Sequence, residues 1–501
     1  MNPSQPPLFT SSGYIPLEDY LNDIKLMRQH GPWKLPLGIG DRFHLFLLAL
    51  IARFSWFRRA LYIEHTQPVS PAYTLLLSYL KRKDVYNFLI ERNLHFRGYY
   101  SFFLQKSLPS RNGSTYIMYG QGVGRDKATA LSIAIGEMVE RAVSGSLDRM
   151  TDILMASPEK LMASHHVVYP PKYHRFLEVQ KKRYKELHQD IRKDISWVKG
   201  KNLITRETTY IPRQMTSWFE ENRLKRGGVL QHATTNGAAG YFTKEGAVLR
   251  GLLEAVQRDG FLVHWLTMIS PDVIRNETLP DHLRESVRDF ERFGLSIHLL
   301  NTTSLSIPSI IVAATNPHSD IPQVVICGGS AVTYEKAIES ALKEMGIGAE
   351  TLYSTQTFSE LENIDKVVEP YTSNLDKEAR ILYWRGEERM REFEWFISGE
   401  KVSYAEICAD DLPAGEDAQN LATCLEVLEG YGEAYYPVVY YPENPIQKAI
   451  GFYVAQIFIP KAFPLYLFEG YGTFESDRLQ EFAQSKNRAE WKLNPHPHMF
   501  P

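Results

Sequence analysis

The stretch Leu131–Val143, LSIAIGEMVERAV, constrains this chain more than any other. It contains no proline, and small Ser132, Ala134, Gly136 and Ala142 are interleaved with apolar Ile133, Met138 and Val139, which predicts a closely packed helix. Glu137 and Glu140 stand three residues apart and Arg141 four beyond Glu137, so one face carries two carboxylates on adjacent turns with a guanidinium beside them. Two readings fit. One is a solvated surface laced by an ion pair worth roughly a few tenths of a kcal/mol. The other is a site for a hard cation and a polyphosphate, because Mg2+ prefers carboxylate oxygens and Arg forks onto phosphate.

The theme recurs. A second proline-free helix is expected over Gly246–Trp265, where Val248, Leu252, Ala255 and Val256 form an apolar stripe and Glu254, Gln257 and Arg258 repeat the pattern with an amide for one acid. Strand-like runs at Leu295–Leu300 and Ser309–Ala314 and the run QVVICGGSA lead into a third helix, AIESALKEMG, with Glu344 at the matching place. Strands alternating with helices indicate an α/β fold, and three helices carrying acid or amide toward one place are hard to explain as surface lacing. Ahead of the first helix, TYIMYG reads as a strand running into GQGVG, where Gly120, Gly122 and Gly124 suggest a turn, with Arg125 and Lys127 at the helix mouth. Glycine turns there can present N–H groups to phosphate, but the pattern is neither a Walker loop nor a dinucleotide fingerprint. Downstream, the lysine-rich stretch Tyr173–Lys199 has Tyr184, Leu187, Ile191 and Ile195 at spacings of three and four, which predicts an amphipathic helix with a basic face. Short strands are expected at Ile195–Val198 and Thr208–Pro212, then a turn at Thr234, Thr235, Asn236 and Gly237 whose small residues would let a ligand approach.

A chain of 501 residues exceeds one ordinary core, so two domains or one multi-lobed α/β domain are expected. The net charge of -3 gives no electrostatic case for nucleic acid. Cys327, Cys408 and Cys424 lack metal-binding spacing, and an odd count without a secretory signal suits a reducing cytoplasm, where they act as small buried hydrophobes. The most apolar run, from Phe43, is bounded by Arg42 and Arg53, about ten residues where a bilayer span needs about 20. It reads as a buried helix, with an amphipathic membrane-surface segment as the alternative; no membrane contact is expected. Residues 1–112 form a region of their own, mainly helical, with patterns at Leu17–Arg28, Phe43–Ile63 and Tyr73–Leu94 and a docking or structural role. Residues 113–501 then make up a second region that carries all of these motifs.

These motifs resemble the YcaO family. Its ATP-binding signature SxxxxExxER matches Ser132, Glu137, Glu140 and Arg141; its small-residue turn matches TTNGAAG at Asn236; its second acidic helix matches Glu254, Gln257 and Arg258. The resemblance implies a multi-lobed α/β domain with mixed sheets and carboxylate-bearing helices around an ATP site. It runs from about Ser114 to Pro501. The ending LNPHPHMFP, with Pro495, Pro497 and Pro501, is by physics a stiff extended segment of the kind that often stays disordered. It is similar, however, to the proline-rich tail of the azoline-forming members, which reaches into the active site. His496 and His498, with a proline between them, are not read as metal ligands.

In azoline-forming members a Cys, Ser or Thr side chain of a substrate peptide attacks the preceding carbonyl, the oxygen is phosphorylated by ATP, and loss of phosphate leaves a thiazoline or oxazoline. The resemblance then implies ATP and Mg2+, with Glu137, Glu140, Glu254 and Glu344 near the metals, Arg141 and Arg258 near phosphate, Ser132, Asn236 and Gln257 as neutral contacts, and the Pro501 carboxylate in proton handling or ordering of the site. It also implies a ribosomally made precursor peptide, a leader-peptide-binding partner related to the ubiquitin-activating enzymes and, for an aromatic product, a flavin-dependent azoline dehydrogenase. A homodimer is compatible with the sequence. Two departures stand out: Gln121 and Gly122 where members often carry the lysine of a GKG turn, and Ser340 and Ile347 where the third helix often has Arg and Gln. The other readings are a different ATP-dependent backbone modification, thioamide or amidine formation, and a non-catalytic peptide-binding scaffold.

Overall fold

The computed structural model describes residues 70–86, 88–93, 99–109, 115–144, 153–216, 228–317, 323–354, 368–375 and 377–500. The helical patterns expected at Leu17–Arg28 and Phe43–Ile63, the apolar run included, lie outside the described residues. Two compact units divide the chain, one of Met1–Asn93 with Gly98–Met138, the other of Leu94–Arg97 with Val139–Pro501.

In the first unit, α1 (Pro71–Arg82) opens on a proline whose missing N–H costs nothing at a first turn, and it buries Leu76 and Leu80. One helix over Tyr73–Leu94 was the expectation; the helix ends at Arg82 instead. Lys81, Arg82 and Lys83 crowd its end, Asp84 takes φ 53°, and β1 (Phe88–Asn93) pairs antiparallel with β2 (Tyr100–Pro109). β2 pairs in turn with β3 (Thr115–Gly124). The expected strand at TYIMYG is therefore present, but the glycine turn is not: Gly120, Gly122 and Gly124 continue the strand, and their spacing of two is its period. A Cβ at Gly120 would lie 2.4 Å from Ala134 O, and one at Gly122 2.0 Å from Ala130 O, so the bare strand face lets the helix α2 (Lys127–Ser144) approach backbone to backbone. Asp126 caps that helix, its carboxylate accepting Thr129 N–H at 2.8 Å and the Thr129 hydroxyl at 2.7 Å. Arg125 stacks on Tyr99 at 4.2 Å and Lys127 pairs with Glu91 at 2.6 Å, so both cations are engaged by the sheet.

Two large sheets carry the second unit, beside a two-stranded pairing of His174–Arg175 with Glu475–Ser476. β4 (Leu154–Ala156), β5 (His166–Val167), β6 (Ile195–Asn202), β7 (Thr208–Pro212) and β8 (Ala238–Tyr241) join β14 (Val438–Tyr440) and β15 (Tyr453–Phe458) in the order β5-β7-β6-β14-β15-β8, with β4 on β6. The other sheet has the order β12-β11-β10-β9-β13, from β9 (Asp272–Ile274), β10 (Ser296–Asn301), β11 (Ser309–Thr315), β12 (Val324–Ser330) and β13 (Lys401–Val402). The mixed α/β architecture expected from the strand and helix alternation is present. The amphipathic helix expected over Tyr173–Lys199 is not, and only Glu178–Arg183 is α-helical there. Gln180 is pulled inward, its Nε2 donating to the carbonyls of Glu469, Gly470 and Gly472. Tertiary bonding thus overrides the periodicity.

Between the sheets lies α3 (Lys244–Thr267), 24 residues long, packed on strands of both. Thr243 caps its start by accepting Gly246 N–H at 3.1 Å. Ala247, Val248, Leu252, Ala255 and Val256 belong to one core with Val439, Ala455 and Ile457. Phe261, Leu262, Trp265 and Leu266 belong to another with Ile311, Ile326, Trp384 and Phe500. Glu254, Gln257 and Arg258 fall where the two cores meet. Two further helices of the second sheet's side matter below, α4 (Tyr334–Ser354) and α5 (Lys377–Tyr383). Cys327 and Cys424 are buried, and burial pushes the Cys424 thiol up to about 12, the inert state expected of small core residues. No helix among the described residues is long and apolar enough to cross a membrane.

Candidate active site

Seen along α3, Glu254 and Arg258 are one turn apart, and their side chains meet, Arg258 Nη2 to Glu254 Oε1 at 3.6 Å. The guanidinium lies over the Phe500 ring, 3.7 Å from its centre. Among the described residues its Nε and Nη1 are buried and find no hydrogen-bond partner. Gln257, 4% exposed, fills the space that a side chain at Gly328 of β12 would take, since a Cβ there would sit 1.5 Å from its Nε2. That amide nitrogen is unpartnered as well. Each buried donor left unpaired costs about 1–3 kcal/mol, so three in a row call for a group rich in acceptor oxygens.

The Thr234–Gly237 turn arrives at the same helix from the other sheet. Gly237 (φ 75°) is wedged against Ile457 of β15, and its carbonyl sits where a side chain at Gly251 of α3 would go. Asn236 is left with a buried Oδ1 that no described residue donates to.

On α2, Glu137 is tied down by its own sheet, Oε2 accepting Gln121 N–H from β3 at 2.7 Å. Backbone thus meets the carboxylate where the resemblance led one to look for a lysine. Ser132, Glu140 and Arg141 are half-buried on that helix. Glu344 lies on the exposed face of α4, above buried Ala341 and Met345. Ser340 and Ile347, the second departure, are half-buried on it.

The tail is ordered and buried. Asn494 closes the C-terminus of α3, its N–H donating to Leu266 O at 2.9 Å and its Nδ2 to Trp265 O at 3.1 Å. Tyr383 OH bonds His496 Nδ1 at 2.7 Å, and Trp384 Nε1 donates to Pro497 O at 2.9 Å. His498, Met499 and Phe500 are each at most 2% exposed. His496 and His498 anchor the tail, and burial lowers both rings below the ordinary range. Pro501 lies outside the described residues. Its neighbour Phe500 is the group that meets Arg258, and nothing in the sequence singled it out. Asp259 was missed too. Wholly buried, it accepts from Arg478 Nε at 3.0 Å, Phe463 N–H at 2.7 Å and Ser304 Oγ at 2.7 Å, and the signal was an acid set between Arg258 and an apolar run.

Residues 121–462 match the family model described as YcaO cyclodehydratase, ATP- and Mg2+-binding. The chain belongs to the YcaO family. The unpaired Gln257 and Arg258 donors beside the Glu254 carboxylate suit a polyphosphate with its cation, so the family's Mg2+ and ATP fit what α3 presents. No curated relative matches the chain in sequence. Among solved structures it is similar to a heterocyclase in complex with substrate and cofactor (TM-score 0.68, 16% identity, 87% of this chain and 59% of that one). It is similar also to the heterocyclase TruD (0.55, 16%, 75% and 52%). A third is YcaO from Methanopyrus kandleri bound with AMPPCP and Mg2+ (0.56, 18%, 81% and 94%). The chain spans between half and three-fifths of the length of the two heterocyclases. At these identities the likeness is one of YcaO fold.

Proposed function

We propose that this protein is an ATP- and Mg2+-dependent cyclodehydratase that converts Cys, Ser or Thr residues of a ribosomally made precursor peptide to thiazolines or oxazolines. The observation that carries the reading is the buried, unpaired donor set of Gln257 and Arg258 beside Glu254, braced by Phe500 of the tail. An amide oxygen is a poor leaving group. In the proposed reaction the thiol or hydroxyl gives up its proton and adds to the preceding carbonyl, the resulting oxygen takes the terminal phosphoryl group of ATP with release of ADP and departs as phosphate, and loss of the amide proton closes the C=N bond; the net change in the peptide is one water. Mg2+, when bound, supplies charge neutralisation to the transferring phosphoryl group.

Arg258 and Arg141 are assigned to phosphate oxygens. Glu140, Glu254 and Glu344 are assigned to Mg2+, with Glu137, on the helix of Glu140, in the same task. Ser132, Asn236 and Gln257 are neutral contacts, and the Pro501 carboxylate handles a proton or orders the site. A leader-peptide-binding protein related to the ubiquitin-activating enzymes, and a flavin-dependent azoline dehydrogenase, complete the expected cytoplasmic system. The docking of such partners is assigned to residues 1–112.

The test is the intact mass of the precursor peptide after incubation with protein, Mg·ATP and the partner. Loss of one water per modified residue, matched by phosphate release, is expected, and Glu140→Gln is expected to abolish both while the fold survives. Any other ATP-dependent mass change points to thioamide or amidine chemistry, and an unchanged mass with tight peptide binding points to the scaffold that the Ser340 and Ile347 departures allow.

A further inference from the structure

The tail has no secondary structure, yet one buried arginine organises it. Arg380 of α5 is 2% exposed, and its Nη2 donates to Leu467 O and lies 3.0 Å from Glu469 Oε1. The Glu469 carboxylate is out of hydrogen-bonding line with it, and burial pushes that carboxyl up to about 7 against the pull of Arg380. Arg380 thus meets its acid partner by charge, without a hydrogen bond to it. Its Nη1 turns to the tail, 2.9 Å from His498 Nδ1 and 2.7 Å from Nε2. Nε2 also lies 2.7 Å from Tyr466 O, a pure acceptor, which fixes the ring proton on Nε2 and leaves the Nδ1 lone pair as the acceptor. That same Nδ1 accepts Phe500 N–H at 3.2 Å. One neutral imidazole therefore joins Arg380 to the backbone of the residue whose ring supports Arg258.

We propose that Arg380 is the positioning residue of the tail: through His498 it sets Phe500 beneath Arg258 and so fixes the direction of the Arg258 N–H groups that face the ligand. This deepens the assignment of Arg258 to phosphate and rests on it. An apolar residue in place of Arg380 would spare the burial of a charge, and the tail has other anchors in Asn494, Tyr383 and Trp384. What Arg380 adds is the register of the last residues, because no other described side chain touches His498 Nδ1.

Full-length protein is treated with phenylglyoxal, and the modification of each arginine is followed by peptide mass, with buried, Asp259-paired Arg478 as internal reference. Arg380→Gln and Phe500→Ala are each expected to speed modification of Arg258 several-fold and to leave Arg478 unchanged. The double variant should react no faster than the faster single one, and Arg380→Lys should restore part of the protection. An unchanged Arg258 in Arg380→Gln, rates that multiply in the double variant, or Arg478 reacting in parallel would each overturn the proposal. Where Arg380→Gln does not fold, His498→Asn breaks the same link from the tail side and is read the same way. Protection of wild-type Arg258 by Mg·ATP is a separate arm: its failure sinks the phosphate assignment, while the dependence of Arg258 reactivity on Arg380 is still measured.

Discussion

Gln257 is held in a position that suits a ligand better than it suits the empty protein. Its Nε2 is buried without an acceptor, a debt of about 1–3 kcal/mol that an apolar side chain of similar volume would not carry. Gln257→Met is therefore expected to raise the melting temperature of the nucleotide-free protein, by the equivalent of about 1 kcal/mol. The same variant should shrink the further rise on adding Mg·ATP, and thermal scans with and without nucleotide check both halves. Acid sensitivity resides in other single residues. Burial drives the His174 ring down to about 4, with Asp259 and Asp477 pulling upward and Arg478 downward. The folded value lies below the ordinary 6.5, so the native state refuses a proton that the unfolded chain accepts. Its contribution, on the order of 3 kcal/mol, is present above pH 6.5 and fades as pH falls toward 4. His174→Gln should flatten the decline of melting temperature across that window, and His264, buried and lowered to about 3, accounts for more of it.

Among elements, the contact of β3 with α2 is the least tolerant. Gly122→Ala would set a methyl 2.0 Å from Ala130 O and 2.4 Å from Ala134 N, both backbone atoms of a helix that cannot step aside. A loss of about 1–3 kcal/mol is expected, read as a lower denaturation midpoint, with Glu137 losing its Gln121 N–H as the strand is pushed off. The same elements show what could be read beforehand. α3 was legible because 24 residues without proline repeat an apolar stripe. The strand at Thr115 was legible from its composition, but its glycines read as a turn, since glycine clusters suit turns and only the spacing of two shows that these clear one strand face for a helix. The lysine-rich stretch failed for the opposite reason: its periodicity was helical, while Gln180 answers to carbonyls nearly 300 positions away. At the site, the acid, amide and arginine types of α3 were visible, and the aromatic ring under Arg258 was not, because a phenylalanine carries no chemistry that spacing can reveal.

For the second unit as a whole, the tie of greatest consequence is the one between Asp259 and Arg478, which joins α3 to the helix at Asp477–Ser485 in full burial. Arg478→Leu or Asp259→Asn would leave a charge without its counterpart, and a loss of about 3–5 kcal/mol is expected, measured by chemical denaturation. Loss of nucleotide binding should follow, since Arg258 is the next residue along. The tail bears on the molecule in another way. Asn494 closes the end of α3 from 229 positions further along the chain, and Phe500 lies against Phe261. While the protein is being synthesised, the faces of Phe261, Trp265 and Trp384 that the tail covers must therefore wait, bare and adhesive, until the ribosome has released residues that come long after them. Chaperone demand during expression is where this late arrival should be felt, and a host rich in holding chaperones should yield more folded protein.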